Sequence, residues 1–307
     1  SEEEKSRYRE VGLDILAEGT TALVLLAGGQ ASRLQISAVK GDIDIGLPSR
    51  VFHFKSHFPD KTLFQRVCNH IKYIQNKVAE RSGSPLQLPV YVMTSEFNIQ
   101  DTQDNILPPS SLRPSPTLCP KQLLRSGKEP NHLLPARFVS VRGLRWRLHY
   151  AGEAQGVSVA FLHVDRSFPD GSGGLFFALH RSHVIEDWLL KGIKRIHVFG
   201  IDNTCEFVAS PPPLFPSPQI PSFSASQRWK APMLLEVRGK VLPEERLSVL
   251  AEYAEHPLLA ISSEMTYRQI IKRDQEGELI FRYGFIFDSV FSIDFITQHC
   301  QESSMPL

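Results

Sequence analysis

Residues Thr21–Ser49, TALVLLAGGQASRLQISAVKGDIDIGLPS, decide the fold class. Ala22–Ala27 is a short apolar run of the kind a parallel strand buried on both faces requires, and it breaks into Gly28-Gly29. Two glycines let the backbone turn sharply and let peptide N–H groups approach an anion without Cβ interference. Arg33 and Lys40 bring two cations to the same turn, as neutralising a triphosphate during attack at phosphorus demands. A Gly-Gly after a strand also serves as a plain turn, and this stretch alone leaves both readings open. It is not a Walker A loop, because no Gly-Lys-Ser/Thr ending follows and Lys40 precedes Gly41.

Working outward, Leu63, Val67, Ile71, Ile74 and Val78 recur at three- and four-residue spacing within 62–80, which places them on one face of a helix. The pattern predicts a strand at Val90–Thr94, a helix from Leu175 to Lys191 stopped by Gly192, and a strand at Arg195–Ile201. Alternating strands and helices with right-handed crossovers make a parallel sheet. Ligands bind such sheets beyond the carboxyl ends of the strands, where both Gly28 and Asp202 fall.

Composition excludes several classes. With 307 residues, 42% of them hydrophobic, the chain can bury a sizeable core. Its 34 basic and 33 acidic residues give no general attraction to nucleic acid or membrane surfaces. Cys68, Cys119, Cys205 and Cys300 form no C-x-x-C pair, which favours reduced, mostly buried thiols. The start, SEEEK, is acidic and helix-prone rather than signal-like, and the expected location is the cytoplasm. Prolines crowd two regions: seven between Asp101 and Phe161, and seven more between Ser210 and Pro232. Little packed structure is expected there. The basic, aromatic run Arg137–Tyr150 is read as a solvated loop rather than a nucleic-acid contact.

Several separated segments resemble one family. Leu26–Gln35 is similar to the L-A-G-G-x-G-T-R-L-G signature of the eukaryotic UDP-N-acetylhexosamine pyrophosphorylases, with Val39, Lys40 and Gly41 at its P-K-G element. DIGLPS (44–49), KTLFQ (61–65) and PVYVMTSE (89–96) follow in the family's order. PDGSGGLF (169–176) resembles P-D-G-N-G-G-L-Y, and IHVFGIDN (196–203) resembles the strand ending in V-D-N. Weaker likeness runs through 240–245, 263–265 and 278–286.

The resemblance implies an α/β fold of the nucleotide-diphospho-sugar transferase (GT-A-like) type. Its sheet is doubly wound, mixed and mostly parallel, with Pro-rich insertions and without the family's C-terminal part. The expected organisation is an N-terminal helical segment over 1–20 and one nucleotidyltransferase-like domain over 21–300, interrupted by low-order segments 101–161 and 210–232. The implied reaction joins UTP and N-acetylglucosamine 1-phosphate into UDP-N-acetylglucosamine and pyrophosphate. A catalytically inactive nucleotide-binding derivative or a truncated fragment of that family is the alternative.

Carried over position by position, Arg33 and Lys40 are the catalytic cations, and Leu26, Ala27, Gly28, Gly29, Gly171 and Ser172 hold the nucleotide. Ser263 and Glu264 meet the substrate, and Asp202 binds Mg²⁺ through one carboxylate. Asp202 also suits a turn cap, and the 171–174 glycines also suit a helix start. The chain departs from the family pattern at these same places. Ala31 and Gln35 replace glycines, Val39 replaces a proline, Ser172 replaces an asparagine, and Ile261-Ser262 replaces Glu-Tyr. Phe285 stands where the family uses an asparagine for the sugar, and no counterpart of its Gln-Gln-Gly base contact is found.

Overall fold

The computed structural model describes residues 2–29, 39–43, 62–95, 98–106, 138–141, 144–154, 157–164, 174–202, 231–253, 256–261 and 264–300. Helix α1 (Glu2–Ala17) leads into β1 (Thr21–Leu26), which is buried almost throughout. Helix α2 (Leu63–Ser82) begins with a reciprocal cap, Thr62 accepting from Gln65 N–H while the Gln65 side chain accepts from Thr62 N–H. It ends where Gly83 takes a left-handed φ of 70°, a conformation costly for residues with a Cβ. Strand β2 (Val90–Ser95) and helix α3 (Ile99–Ile106) follow, then β3 (Phe138–Val141), β4 (Leu144–Ala154) and β5 (Val157–Val164). Helices α4 (Gly174–Arg181) and α5 (Val184–Leu190) precede β6 (Arg195–Gly200). The remainder is β7 (Met233–Gly239), β8 (Ser248–Tyr253), β9 (His256–Ala260), the short α6 (Tyr267–Ile270), β10 (Tyr283–Ser292) and α7 (Ile293–His299).

The strands form one mixed sheet in the order β3-β4-β5-β2-β1-β6-β10-β8-β9, with β7 also on β10. Its centre is parallel: β5 pairs β2, β2 pairs β1, and β1 pairs β6 in register from Thr21↔Arg195 to Leu26↔Gly200. Antiparallel strands flank this core, β4 beside β5 and β10 beside β6.

Alternation along β1 and β6 sends side chains to two cores. Leu23, Leu25 and Phe199 pack with α1 and with the α2 face Leu63, Val67, Ile71, Ile74 and Val78, as the spacing predicts. Ala22, Val24, Ile196 and Val198 pack with Leu175, Leu179, Val184 and Trp188 on the other side. Each fully buried Leu, Ile, Val or Phe among them contributes roughly 1.5–3 kcal/mol. Helices on both faces make the sheet doubly wound.

Three expectations are corrected. The helix expected over Leu175–Lys191 is two helices, because His183 adopts φ 58° between them; Gly192, at φ 70°, does end the second. The stretch 101–161 is not without regular structure, since it holds most of α3, all of β3 and β4, and much of β5. Its seven prolines all precede residue 136, and β5 is an apolar run that parallel pairing with β2 can use. Arg137–Tyr150, read as a loop, lies largely in β3 and β4. The insertion 51–60 and the segment 210–230 lie outside the described residues. Cys68 and Cys300 are free buried thiols whose pKa values burial pushes up to about 12; Cys119 and Cys205 are outside the described residues. No helix among the described residues is long and apolar enough to cross a membrane.

Candidate functional site

At the carboxyl end of β1 the chain is held from three sides. Ala27 N–H donates to Met93 O at 2.9 Å, Leu26 O accepts from Ile201 N–H at 3.2 Å, and Ala27 O accepts from Asn98 Nδ2 at 2.8 Å. Asn98 is buried, and its Oδ1 takes Ser95 N–H at 2.8 Å and Ser95 Oγ at 3.0 Å. One side chain therefore ties the exit of β1 to the end of β2, leaving its polar atoms satisfied.

Gly28 and Gly29 continue from that clamp. A Cβ on Gly28 would come 3.4 Å from the Thr94 carbonyl carbon, and one on Gly29 would come 3.4 Å from Lys40 Cε and 3.5 Å from Nζ. The turn thus leaves room for the lysine to cross it. Lys40 opens a 3-10 turn, Lys40–Asp42, whose middle residue is buried against a ring: a Cβ on Gly41 would lie 2.0 Å from Phe64 Cε2. Only glycine fits there without moving Phe64.

Asp202 reaches the same place from the end of β6. Its Oδ2 accepts from Lys40 Nζ at 2.7 Å, with the two side chains 55% and 31% exposed. Its Oδ1 lies 3.0 Å from the point where Gly200 would carry a Cβ, and Phe287 Cβ lies 3.4 Å from that point. Phe287, 38% exposed, sits in left-handed backbone at φ 60°, a conformation that costs a non-glycine residue on the order of 1–2 kcal/mol.

Of the residues predicted from the sequence, the structure brings Leu26, Ala27, Gly28, Gly29, Lys40 and Asp202 together. Glu264 is exposed in the turn before α6, its N–H donating to Ile261 O at 2.9 Å, and no described contact joins it to the Lys40–Asp202 pair. Arg33, Gly171, Ser172 and Ser263 lie outside the described residues. Sequence reasoning missed Asn98, Gly200 and Phe287. Asn98 had a legible signal, a capping-type residue immediately before a helix; the other two had none, since their roles depend on β6 meeting β10.

A half-exposed carboxylate is the kind of oxygen donor Mg²⁺ takes, since that ion keeps waters and substrate phosphates as its other ligands, and here the Asp202 carboxylate is paired with Lys40. Among the described residues no cluster of three or more His, Cys, Asp or Glu side chains is placed to hold a metal ion. A cation, a carboxylate and a narrow glycine turn thus lie together at the mouth of the parallel core, where ligands bind sheets of this kind.

No protein-family model matches the chain. Over 298 residues, 96% of the chain, it is 29% identical to UDP-N-acetylhexosamine pyrophosphorylase-like protein 1 of Homo sapiens, covering 50% of that protein. It is 26% identical over 306 residues to UDP-N-acetylglucosamine diphosphorylase 2 of Arabidopsis thaliana, covering 97% of this chain and 53% of the relative. The fold matches the crystal structure of a uridine diphosphate N-acetylglucosamine pyrophosphorylase from Trypanosoma brucei with a TM-score of 0.64 at 21% identity, over 98% of this chain and 52% of that one. The resemblance carried by separated motifs thus extends over nearly the whole chain, which spans about half the length of these relatives. The structural match supports the nucleotidyltransferase fold expected from the sequence.

Proposed function

We propose that this chain carries the uridylyl-transfer site of a UDP-N-acetylhexosamine pyrophosphorylase, acting on UTP and N-acetylglucosamine 1-phosphate in the cytoplasm. The observation that supports it most is the meeting of Lys40, Asp202 and the Gly28-Gly29 turn at one end of the parallel core. In this reaction a phosphate oxygen of the sugar phosphate bonds to the α-phosphorus of UTP while the bond to pyrophosphate breaks. Both reactants are anionic, so the protein's task is charge neutralisation and alignment rather than nucleophilic chemistry.

Lys40 offsets charge on the phosphates, with Arg33 as its partner cation. The glycine turn lets backbone N–H groups approach the nucleotide, and Leu26 and Ala27 anchor that turn through their carbonyls. Gly171 and Ser172 hold the nucleoside ahead of α4, and Ser263 and Glu264 meet the sugar phosphate. Asp202 would hold Mg²⁺, which when bound supplies charge stabilisation at the transferring phosphoryl group. The Lys40–Asp202 pair holds both side chains beside the glycine turn, where Lys40 would meet phosphate oxygens and Asp202 a divalent ion.

A second reading, a nucleotide-binding derivative without turnover, is favoured by Phe285. That residue is buried and packs its ring 5.2 Å from Phe287, where it cannot supply a sugar with hydrogen bonds. Pyrophosphate release from UTP plus N-acetylglucosamine 1-phosphate, measured beside an Asp202→Ala control, tests the enzyme. Release no faster than the control overturns turnover. Heat of Mg-UTP binding then separates the binding derivative from a protein with no nucleotide site.

A further inference from the structure

Strand β10 is continuous in sequence but broken in pairing. It bonds β7 at Tyr283–Phe285 and again at Ser289–Phe291, so that Ile286, Phe287 and Asp288 stand opposite the single β7 residue Glu236. On its other edge it bonds β8 through Gly284 and Phe285, then β6 from Asp288 onward. The bulge therefore falls where the outer ribbon leaves the core sheet, and bulges there re-aim side chains.

The residue re-aimed is Phe287. Its backbone is left-handed, which is an outlier for a bulky residue, and its side chain is partly exposed. Asp288 and Phe285 hold it from either side. Asp288 is buried with both carboxylate oxygens 2.9 Å from His197 Nε2, and Phe285 is buried against the Phe287 ring. Such over-determination is what sustains a strained residue, and strained residues cluster at ligand sites. Phe287 also shares the space above Gly200 with the Asp202 carboxylate. In the sheet order, β10 lies on the far side of β6 from β1 and its glycine turn. A phosphate held between the turn and Asp202 would present to Phe287 whatever it carries on the side away from the turn.

We propose that Phe287 is a specificity-determining residue, its exposed ring taking the apolar C–H face and acetamido methyl of an N-acetylhexosamine attached to that phosphate. An aromatic ring offers a large rigid apolar surface for such contact. The inference rests on the uridylyl-transfer reading and names the group that lies next to Asp202.

Calorimetric titration of the full chain with Mg²⁺ and either UDP or UDP-N-acetylglucosamine tests it. The sugar nucleotide is expected to bind more tightly than UDP, and Phe287→Ala to weaken the sugar nucleotide by about three- to tenfold with UDP unchanged. Phe287→Tyr should keep the sugar increment. Phe287→Leu, which preserves apolar volume, serves if the alanine variant does not fold, and should lose most of the increment. Equal weakening of UDP, which would mean base stacking, overturns the inference, as does an increment indifferent to all three substitutions. Absence of heat with either nucleotide overturns the parent reading and this inference with it.

Discussion

The ammonium of Lys40, on the 3-10 turn, lies 2.7 Å from the carboxylate of Asp202, just past the end of β6, across 162 positions of sequence. The pair is too exposed to hold the fold together: exposed ion pairs contribute about 0–1 kcal/mol. Lys40→Met and Asp202→Asn should therefore leave the thermal midpoint within a few degrees of the unsubstituted chain. In a chain that turns over, each should lower pyrophosphate release by roughly 100- to 1000-fold, as removing a charge-stabilising group does elsewhere. A large loss of melting temperature would show the pair to be structural instead.

Gly41→Ala places a methyl inside the Phe64 ring, so either the ring or the 3-10 turn must move. Overpacking of this kind costs about 1–3 kcal/mol. Urea unfolding should show that loss, and Phe64→Leu, which opens the space, should recover part of it in the double variant. Strict additivity of the two substitutions would contradict the contact.

Asn98→Ala leaves Ser95 N–H and Ala27 O without their partner, at about 1–3 kcal/mol for each buried group. Asn98→Asp keeps an acceptor for Ser95 but has no N–H for Ala27 O. Both variants should lose stability and loosen the glycine turn, seen as faster amide exchange at Gly28 and Gly29. Unchanged exchange at those amides would separate Asn98 from the site.

Burial, aided by the charge of His197, lowers the pKa of His70 from 6.5 to about 4. Above pH 6.5 the imidazole is neutral in both folded and unfolded chains. Between pH 6.5 and 4 the unfolded chain binds a proton that the folded one refuses, so stability falls as pH falls and levels off below pH 4. The loss is on the order of 3 kcal/mol across that window. His70→Gln should flatten this part of the curve of unfolding free energy against pH; an unaltered slope would rule His70 out as its source.

How much was legible depended on the range of the interaction. Leu63, Val67, Ile71, Ile74 and Val78 announced α2 by spacing alone, and Ala22–Ala27 announced β1, because burial on one or both faces leaves a local pattern. Asp202 and Lys40 were legible as candidates from motif resemblance, and Gly28 and Asp202 were legible at strand ends; the Lys40–Asp202 contact depends on where the 3-10 turn folds back. The break at His183 was not legible, since nothing nearby marks a left-handed histidine. Phe287 was hidden for a different reason: its exposure comes from β10 changing partners, a property of the sheet and not of any window of sequence. Strands β3–β5 were obscured by the prolines before them, which lowered the apparent order of the whole stretch.

The late position of β10 in the chain bears on how the protein is made. This strand supplies the hydrogen-bonding neighbour of β6 and also holds β7 and β8, yet it begins only at Tyr283. During synthesis every earlier strand emerges first, and the edge of β6 stays open until nearly the whole described length has left the ribosome. An open edge on an apolar strand invites pairing with other chains. Until β10 emerges, the nascent chain thus carries an open β6 edge that invites aggregation, and losing that strand would leave β7 and β8 without the partner that joins them to the core sheet.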